Sequence, residues 1–283
     1  MAVEGTTADL GEIQARHRIV GRIAELEGLL ACIMAGRHVL LEGPVGVGKT
    51  VLAKAVADAL GRGVYRIDGD GRFTEQKLVG HFDPPAVLRA GYLPETFIQG
   101  PLVRAMEAGS ILFINEINRM PEGVQNVLLP PLDEGMLQLP QLGQVRAASG
   151  FSVIATMNPR EFVATGHLSE ALLDRFELIA LHPQTRAEEE EIVRLHTRPP
   201  TPEPELVRAA VDLVRKTRRH PGIRRGASVR AAIALVELAR ALGGIAALSR
   251  AAALALPTRI ELKEAHEGAM DAILLELAPQ KKK

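Results

Sequence analysis

The chain has 283 residues, of which 47% are hydrophobic and 3% aromatic, with no Trp, so Ala, Leu, Ile and Val must build its core. This composition favours a helical or α/β fold, and the length suits two modest domains or one large domain with an appendage. The 34 basic and 34 acidic residues cancel, which argues against a protein built to bind nucleic acid or a membrane surface.

The cysteine content and the N-terminus favour the cytoplasm. Cys32 is the single cysteine, so an internal disulfide is excluded, and its apolar helical surroundings predict a core position rather than a reactive thiol. The first 14 residues lack the basic head and apolar run of a signal peptide. An apolar stretch of 18 residues is also absent from the sequence, so we expect no membrane span.

The first 182 residues predict strands that alternate with helices. Residues 1–15 are polar and predict a loose segment, and apolar spacing then predicts a helix over 25–35. Further helices are predicted over 50–60, 101–108 and 121–134, the last interrupted by two prolines. Short apolar runs predict five buried strands, at 38–41, 64–67, 110–114, 153–157 and 178–181. This alternation indicates an α/β domain whose parallel five-stranded sheet is flanked by helices.

Two segments interrupt this alternation. Residues 69–100 are rich in Gly and Pro and predict a long, loop-rich insertion, which is often functional. Residues 136–148 predict a hairpin with its turn near Gly143.

The composition changes after His182-Pro183. Amphipathic helices are predicted there at about 187–196, 204–218, 227–242 and 259–277, and no convincing strand is visible. We therefore predict two domains, an α/β domain over 1–182 and an all-α domain over 183–283.

Residues 43–50, GPVGVGKT, match the phosphate-binding pattern G-x-x-x-x-G-K-[ST] after a predicted strand and before a predicted helix. The glycines let backbone N–H groups face a β-phosphate, and the helix N-terminus attracts the anion. Lys49 is expected to reach the β- and γ-phosphates of ATP, and Thr50 to offer its hydroxyl to Mg²⁺. A chance glycine-rich turn is the weaker alternative in this context. The predicted nucleotide-binding residues of the loop are Gly43, Pro44, Val45, Gly46, Val47, Gly48, Lys49, Thr50 and Val51.

The strand predicted at 110–114 ends in Asn115-Glu116. An apolar strand ending in an acidic pair is the usual companion of a phosphate loop, because one carboxylate supports Mg²⁺ and the next activates the attacking water. Glu116 is the candidate base. The alternative, a solvated carboxylate at a strand end, is weaker in this context.

Five motifs in this order resemble the MoxR branch of the AAA+ ATPases, over about residues 19–277. They are GPVGVGKT at 43–50, LFINEINRMPEGVQNVLLPPLDEG at 112–135, VIATMNP at 153–159, LSEALLDRF at 168–176 and GASVRAAIAL at 226–235. The resemblance implies an AAA+ core with a C-terminal helical lid that works as a homo-oligomeric ring, usually a hexamer, and that binds and hydrolyses ATP.

The resemblance also assigns roles outside the phosphate loop. It places Val20 and Gly21 near the adenine and makes Asn158 the first sensor, which holds the attacking water or the γ-phosphate through its amide. A strand-end Asn before a proline is the bland alternative for Asn158.

Two arginines receive roles by the same resemblance. Arg175 matches the arginine finger that reaches the neighbouring subunit's γ-phosphate, although a surface Arg paired with Glu170 or Asp174 is an alternative. Arg230 matches the second sensor on the lid, and an ordinary solvated Arg competes with that role. Four more basic residues surround Arg230 and could bind an acidic partner, although a solvated face is the simpler interpretation; they are Arg218, Arg219, Arg224 and Arg225.

One residue departs from the family pattern, because Asn115 stands where the family has Asp. Asn can hold a metal-bound water but carries no negative charge, so Mg²⁺ binding should weaken. A tolerant ATPase, slow hydrolysis and an engineered residue all explain Asn115. We favour a working ATPase because Lys49, Thr50, Glu116, Asn158 and Arg175 are all present.

The resemblance implies a motor or chaperone that remodels or matures a client protein or metalloenzyme, often with a von Willebrand factor A domain partner. The insertions around 72–100 and 136–148 would touch the client. Four apolar side chains of the first insertion are exposed candidates, or else pack the loop onto the core; they are Phe82, Tyr92, Leu93 and Phe97.

Three other functions compete with the motor. Asn115 alone supports a nucleotide-dependent scaffold with negligible turnover. A nucleic-acid motor or clamp loader is disfavoured by the zero net charge and by the lack of a basic and aromatic stripe. A chelatase-like motor subunit, which drives metal insertion into a tetrapyrrole, has a similar order of motifs.

Overall fold

The structure of the chain is a computed structural model that describes residues 9–158, 168–266 and 268–277. Most of the predicted loose segment, Pro159 of the VIATMNP motif and the C-terminal lysines lie outside the described residues. The chain divides into two compact units. The first holds Arg22–Pro44, Gly48–Leu181 and the N-terminal segment up to His17, and the second holds Arg18–Gly21, Val45–Val47 and the chain from His182 onward.

The first unit is built on a five-stranded sheet in which every neighbouring pair is parallel. This confirms the predicted fold class. The spatial order of the strands is β2–β3–β4–β1–β5. The strands are β1 His38–Glu42, β2 Val64–Asp68, β3 Ile111–Asn115, β4 Ser152–Met157 and β5 Phe176–Ala180.

Burial explains why the apolar runs form these strands. Central strands β1, β3 and β4 are buried along nearly their whole length, as expected where helices cover both faces of a parallel sheet. Edge strands β2 and β5 are more exposed, and Leu178 of β5 is 58% exposed. The core therefore lies around β3, β4 and β1.

Short helices flank the sheet. The N-terminal helix Leu10–His17 corrects the expectation of a loose segment, because Ile13 is buried and Arg16 and His17 complement the helix C-terminus. Cys32 is half-buried rather than fully in the core, and burial raises the pKa of its thiol.

The helices after the first are Ile23–Met34, Lys49–Ala59, Glu75–Val79, Pro84–Ala90, Pro101–Glu107, Glu122–Asn126, Leu129–Asp133 and Glu170–Leu173, with 3-10 turns at Pro94–Thr96 and Ile117–Arg119.

The segment 69–100 is more ordered than its glycines and prolines predicted. Strands Gly80–Phe82 and Phe97–Gln99 form an antiparallel pair that encloses the helix Pro84–Ala90. The prediction missed this pair because each strand has only three residues. The helix Pro84–Ala90 also separates the two strands in the sequence, so no short hairpin signal is present. The hairpin in the second insertion is confirmed, with strands Met136–Leu139 and Gly143–Arg146.

The second unit is mainly helical. Among the described residues, only a pair of helices bent by 109°, and no single helix, reaches the length and apolarity of a membrane span. The helices are Arg186–His196, Pro204–Thr217, Val229–Leu242, Leu248–Ala255 and Met270–Leu277, with 3-10 turns at Gly244–Ala247 and Glu264–His266.

Two expectations for this unit are wrong. The helix predicted over 259–277 is confined to Met270–Leu277, because strand Glu261–Leu262 and a positive φ of 91° at Gly268 precede it. Strand Glu261–Leu262 pairs with Ile223–Arg225 in a short antiparallel ladder, although no strand was expected after residue 182. Two strands of two and three residues leave no readable alternation in the sequence.

A buried ion triad joins two helices of the second unit. The Glu189 carboxylate accepts hydrogen bonds from Arg215 at 2.8 Å and from Arg218 at 2.6 Å, and its side chain is 4% exposed. Arg218 also donates to the Ala227 carbonyl at 2.7 Å. The triad therefore connects Arg186–His196 with the end of Pro204–Thr217, and Arg218 also binds the segment just before Val229–Leu242.

We predict that Glu189→Gln destabilises the protein by about 3–5 kcal/mol, because it leaves two guanidinium groups without their buried counter-ion. Glu190→Gln is the matched control, since Glu190 pairs at the more exposed surface with Arg186 and should cost about 0–1 kcal/mol. Urea unfolding of both variants measures the difference. Equal losses would contradict the assigned role of the triad.

We predict a pH-dependent stability term from His38. Burial lowers the pKa of its imidazole to about 4, against an opposing hydrogen bond to the backbone of Leu132, and its Nδ1 accepts the Val153 N–H at 3.0 Å. Because the unfolded pKa is about 6.5, this stability is complete above pH 6.5 and is lost as the pH falls toward 4. The free-energy difference between the parent and His38→Phe should shrink by about 3 kcal/mol from pH 7 to pH 4. Parallel pH profiles of urea unfolding would show that His38 does not carry this term.

Candidate functional site

The loop after β1 has the backbone of an anion-binding turn. Gly46 and Gly48 have φ values of +86° and +99°, in the left-handed region that side chains disfavour. Gly48 is the N-cap of the 11-residue helix Lys49–Ala59, whose N-terminus adds a partial positive charge. The loop thus fits a phosphate group without further assumptions.

Lys49 lies buried in this loop. Its Nζ donates to the Gly43 carbonyl, to the Pro44 carbonyl at 3.0 Å and to Asn158 Oδ1 at 3.0 Å. Thr50 follows Lys49 and is half-buried in the first turn of the same helix. The fold therefore brings the predicted phosphate ligand Lys49 to the end of β4.

Asn158 connects Lys49 to the candidate base. Its Nδ2 donates to Glu116 Oε1 at 3.2 Å, while its Oδ1 accepts from Lys49. Three predicted site residues from different parts of the chain therefore form one hydrogen-bonded row.

Glu116 has a strained backbone. Its φ of 56° and ψ of 51° lie in the left-handed region, which costs a non-glycine residue about 1–3 kcal/mol. Its Oε2 accepts from Arg119 at 2.7 Å, and this hydrogen bond raises the pKa of Arg119. Arg119 was not predicted as a site residue, although its i+3 spacing from Glu116 could have indicated the contact.

Asn115 lies in a second polar row. Thr156 Oγ1 donates to Asn115 Oδ1 at 3.1 Å and accepts the Glu116 N–H at 3.0 Å. Asn115 Nδ2 donates to Asp68 Oδ1 at 2.8 Å. Sequence reasoning missed Asp68 and Thr156, because only the strand order places β2 and β4 on either side of β3.

The oxygen donors at this edge of the sheet suit a magnesium ion. Thr50 offers a hydroxyl and Asn115 a carbonyl oxygen, which are ligand types that Mg²⁺ accepts directly or through water. Asp68 supplies a carboxylate beside Asn115, and hydrogen bonds from Arg66 and then from Asn115 lower the pKa of that carboxyl. The donor set fits the ion.

Arg175 is paired within its own chain. Its Nη2 lies 2.6 Å from Asp133 Oδ2, and its Nη1 donates to the Ala171 carbonyl. The partner is therefore neither Glu170 nor Asp174, the two alternatives that the sequence suggested.

Val20 and Gly21 lie in the second unit. Gln184 Nε2 donates to the Val20 carbonyl, and a side chain at position 21 would collide with the Glu188 carboxylate. The glycine thus allows a close approach of the backbone to the helix Arg186–His196.

Arg230 also lies in the second unit, near the tip of the phosphate loop. A Cβ built on Gly46 would stand 2.6 Å from Ser228 and 3.9 Å from Arg230 Cδ. Only glycine fits this approach without movement of Ser228.

Three of the four basic residues around Arg230 are engaged in ion pairs, and the fourth, Arg219, is exposed. Arg218 pairs with Glu189, and Arg224 and Arg225 pair with Glu261. This corrects the solvated-face interpretation for Arg218, and it weakens the acidic-partner alternative.

The first insertion exposes part of its apolar surface. Phe82 packs edge-on against Tyr92 and Phe97, with ring centroids 4.9 and 5.1 Å apart. Phe82 and Phe97 are partly buried, whereas Tyr92 and Leu93 are exposed. Packing and exposure therefore divide the four candidates into two pairs.

Comparison with known proteins supports this arrangement. The model of the AAA domain, dynein-related subfamily, matches residues 38–176, from the first residue of β1 to the first residue of β5. The uncharacterised protein YeaC of Bacillus subtilis is 32% identical over 238 residues, which cover 75% of this chain and 71% of YeaC. The gas vesicle ATPase GvpN of Haloferax mediterranei is 35% identical over 177 residues, which cover 57% of this chain and about half, 51%, of GvpN.

Solved structures share the fold at low sequence identity. The crystal structure of a proposed ATPase from Cytophaga hutchinsonii has a TM-score of 0.53 and 23% identity, covering 96% of this chain and 95% of that one. A point mutant of RuvB from Thermotoga maritima has a TM-score of 0.51 and 18% identity, covering 97% of this chain and 72% of that one.

We predict that the Thr156 hydroxyl maintains the strained turn at Glu116. Thr156→Val keeps the shape but leaves the partly buried Glu116 N–H without its Thr156 acceptor, which should cost about 1 kcal/mol and accelerate hydrogen exchange at that amide. Thr156→Ser is the control, because it keeps the hydroxyl and should preserve the protection. Equal exchange at the Glu116 amide in the Val and Ser variants would argue against this role.

Proposed function

This chain belongs to the AAA domain family, in its dynein-related subfamily, and from that premise we propose that it is a MoxR-type ATPase. It binds ATP, hydrolyses it to ADP and phosphate, and uses the cycle to remodel or mature a client protein or metalloenzyme. The relative named a gas vesicle ATPase supports the hydrolytic part of the proposal.

One observation carries the proposal. Lys49, Asn158 and Glu116 are joined by hydrogen bonds of 3.0 and 3.2 Å at the carboxyl edge of the sheet, beside the phosphate loop. A cation for phosphate, an amide for a water or a phosphate oxygen, and a carboxylate for a proton are the groups that phosphoryl transfer to water requires.

The residues divide the chemistry as follows. Lys49 and the loop N–H groups bind the β- and γ-phosphate oxygens, and Asn158 orients the attacking water. The water oxygen bonds to the γ-phosphorus as the bond to the β–γ bridging oxygen breaks, and the water proton passes to Glu116. Arg119 competes with that water for Glu116 Oε2, since it occupies this acceptor at 2.7 Å.

Thr50 and Asn115 are the residues proposed to hold Mg²⁺. The bound ion would neutralise charge that develops on the phosphate oxygens. These two side chains supply neutral oxygens only, so the negative charge at the site must come from other groups.

Assembly into a ring, with a hexamer as the expected size, completes the site. Arg175 is proposed to leave Asp133 and reach the γ-phosphate bound by the neighbouring protomer, where it would stabilise transition-state charge. The exchange of one anionic partner for the other would couple assembly to the nucleotide. Val20 and Gly21 are proposed to contact the adenine, and Arg230 is proposed to act as the second sensor.

The insertions are proposed to contact the client. Leu88, Tyr92 and Leu93 are exposed on the first insertion, and Leu88 is 89% exposed. These side chains are accessible for contact with another protein. A protein with a von Willebrand factor A domain is the partner that the resemblance to MoxR proteins favours.

A scaffold with little turnover is the second candidate, and Asn115 is the observation that favours it. An amide at this position contributes no charge to the metal. Such a scaffold would bind ATP and assemble, with almost no release of phosphate.

The deciding measurement is steady-state phosphate release from Mg-ATP by the purified chain and its variants. Glu116→Gln should lower turnover by about 10²–10⁴-fold and keep ATP binding, because it removes the proton acceptor. Lys49→Ala should lose both turnover and ATP binding. Arg175→Ala should bind ATP normally and hydrolyse it slowly.

Leu178→Ala is a surface control on edge strand β5 that should behave as the parent. A parent that binds ATP but releases phosphate as slowly as Glu116→Gln would favour the scaffold. A parent that binds no nucleotide would overturn both candidate functions.

A further inference from the structure

The negative charge that position 115 lacks stands on the neighbouring strand. Asp68 ends β2, Asn115 ends β3, and the two residues are direct register partners in the parallel pair. Asp68 Oδ1 accepts a hydrogen bond from Asn115 Nδ2 at 2.8 Å. A carboxylate therefore touches the side chain proposed to face the metal.

This contact fixes the orientation of the Asn115 amide between its two neighbours, Asp68 and Thr156. An amide carries an acceptor oxygen and a donor nitrogen, whereas an ionised carboxylate only accepts. Asp68 therefore requires Nδ2 on its side, and Oδ1 must point the other way, toward Thr156, whose hydroxyl lies 3.1 Å from it. A reversed amide would direct N–H groups toward a bound cation and repel it.

Asp68 is itself held in place. Arg66, two residues earlier on β2, donates to both carboxylate oxygens, at 3.1 Å to Oδ2 and 2.7 Å to Oδ1. The side chain of Asp68 is 58% exposed, so this clamp rather than burial orients it. The row runs from Arg66 through Asp68, Asn115 and Thr156 to the Glu116 N–H.

We propose that Asp68 is a positioning residue of the magnesium site. Its carboxylate locks the orientation of the Asn115 amide, so that Asn115 Oδ1 stays available to the ion, and it places a negative charge beside that amide. The inference rests on the proposed function as an ATPase. It explains how a chain without the family carboxylate at position 115 keeps a site for Mg²⁺.

The substitution Asp68→Ala tests the lock directly. It removes Oδ1, the oxygen that accepts from both Asn115 Nδ2 and Arg66. The Asn115 amide then loses its acceptor on the β2 side, and orientations that present Nδ2 on the metal side become accessible. An aspartate at position 115 needs no such lock, because both of its oxygens accept.

The experiment is a double-mutant cycle at positions 68 and 115. The four proteins are the parent, Asp68→Ala, Asn115→Asp and the double variant. Each is titrated with a fluorescent, non-hydrolysable ATP analogue in EDTA and in Mg²⁺, and the ratio of the two dissociation constants measures the metal's contribution without turnover.

Asp68→Ala should reduce that ratio by about 10-fold while position 115 is Asn, since loss of a partner that orients a metal ligand typically weakens metal binding by about 10–100-fold. With Asp at position 115, the same substitution should change the ratio less than about 2-fold. Binding in EDTA should be equal in all four proteins.

Asp70→Ala is the matched control. It removes one carboxylate from the same loop, where Asp70 Oδ1 accepts the Arg72 N–H, and it should leave the ratio unchanged. Circular dichroism and thermal unfolding of each variant verify folding.

An equal effect of Asp68→Ala in both backgrounds would mean that the charge of Asp68 acts at a distance, and it would overturn the lock. An unchanged ratio in the Asn115 background would overturn it as well. In both cases the proposed function still stands if the parent binds the ATP analogue more tightly in Mg²⁺ than in EDTA. A parent that binds no analogue in either condition would overturn the function and the inference together.

Discussion

The parallel pairing of β3, β4 and β1 is the constraint on which the site depends. Parallel strands end at the same edge of a sheet, so the loop after β1, Asn115 at the end of β3, Glu116 after it and Asn158 after β4 meet there. A ligand site outside the carboxyl ends of the strands is the general rule for open α/β sheets. The buried apolar runs that form these strands therefore determine where the polar chemistry lies.

Polar bonds between strand ends then hold the site in shape. Thr156 is fully buried and bridges Asn115 to the backbone of Glu116. Its bond to the Glu116 N–H accompanies a left-handed backbone that no glycine relieves. Strain of this kind persists only where the surroundings determine the conformation. The candidate base thus depends on a neighbouring strand as much as on its own.

Charge at the site is distributed differently from the family pattern. The amide at position 115 lies between the Asp68 carboxylate and the Thr156 hydroxyl, so the acidic group stands one strand away. Arg119 and Arg175 are both engaged by acidic side chains of the same chain. A catalytic cycle would exchange these internal partners for the groups of a substrate, which links chemistry to movement of side chains.

The sequence by itself determined the five strands, the phosphate loop and the identity of Lys49, Glu116 and Asn158, because apolar periodicity and contiguous motifs are local properties of a chain. It did not reveal the ladder Ile223–Arg225 with Glu261–Leu262, the helix Leu248–Ala255 or the partners Asp68, Thr156 and Asp133. The contacts of those three partners join residues from 41 to 47 positions apart. Only the tertiary structure decided them, since strand order and register bring such residues together and neither is written in the spacing of any one segment.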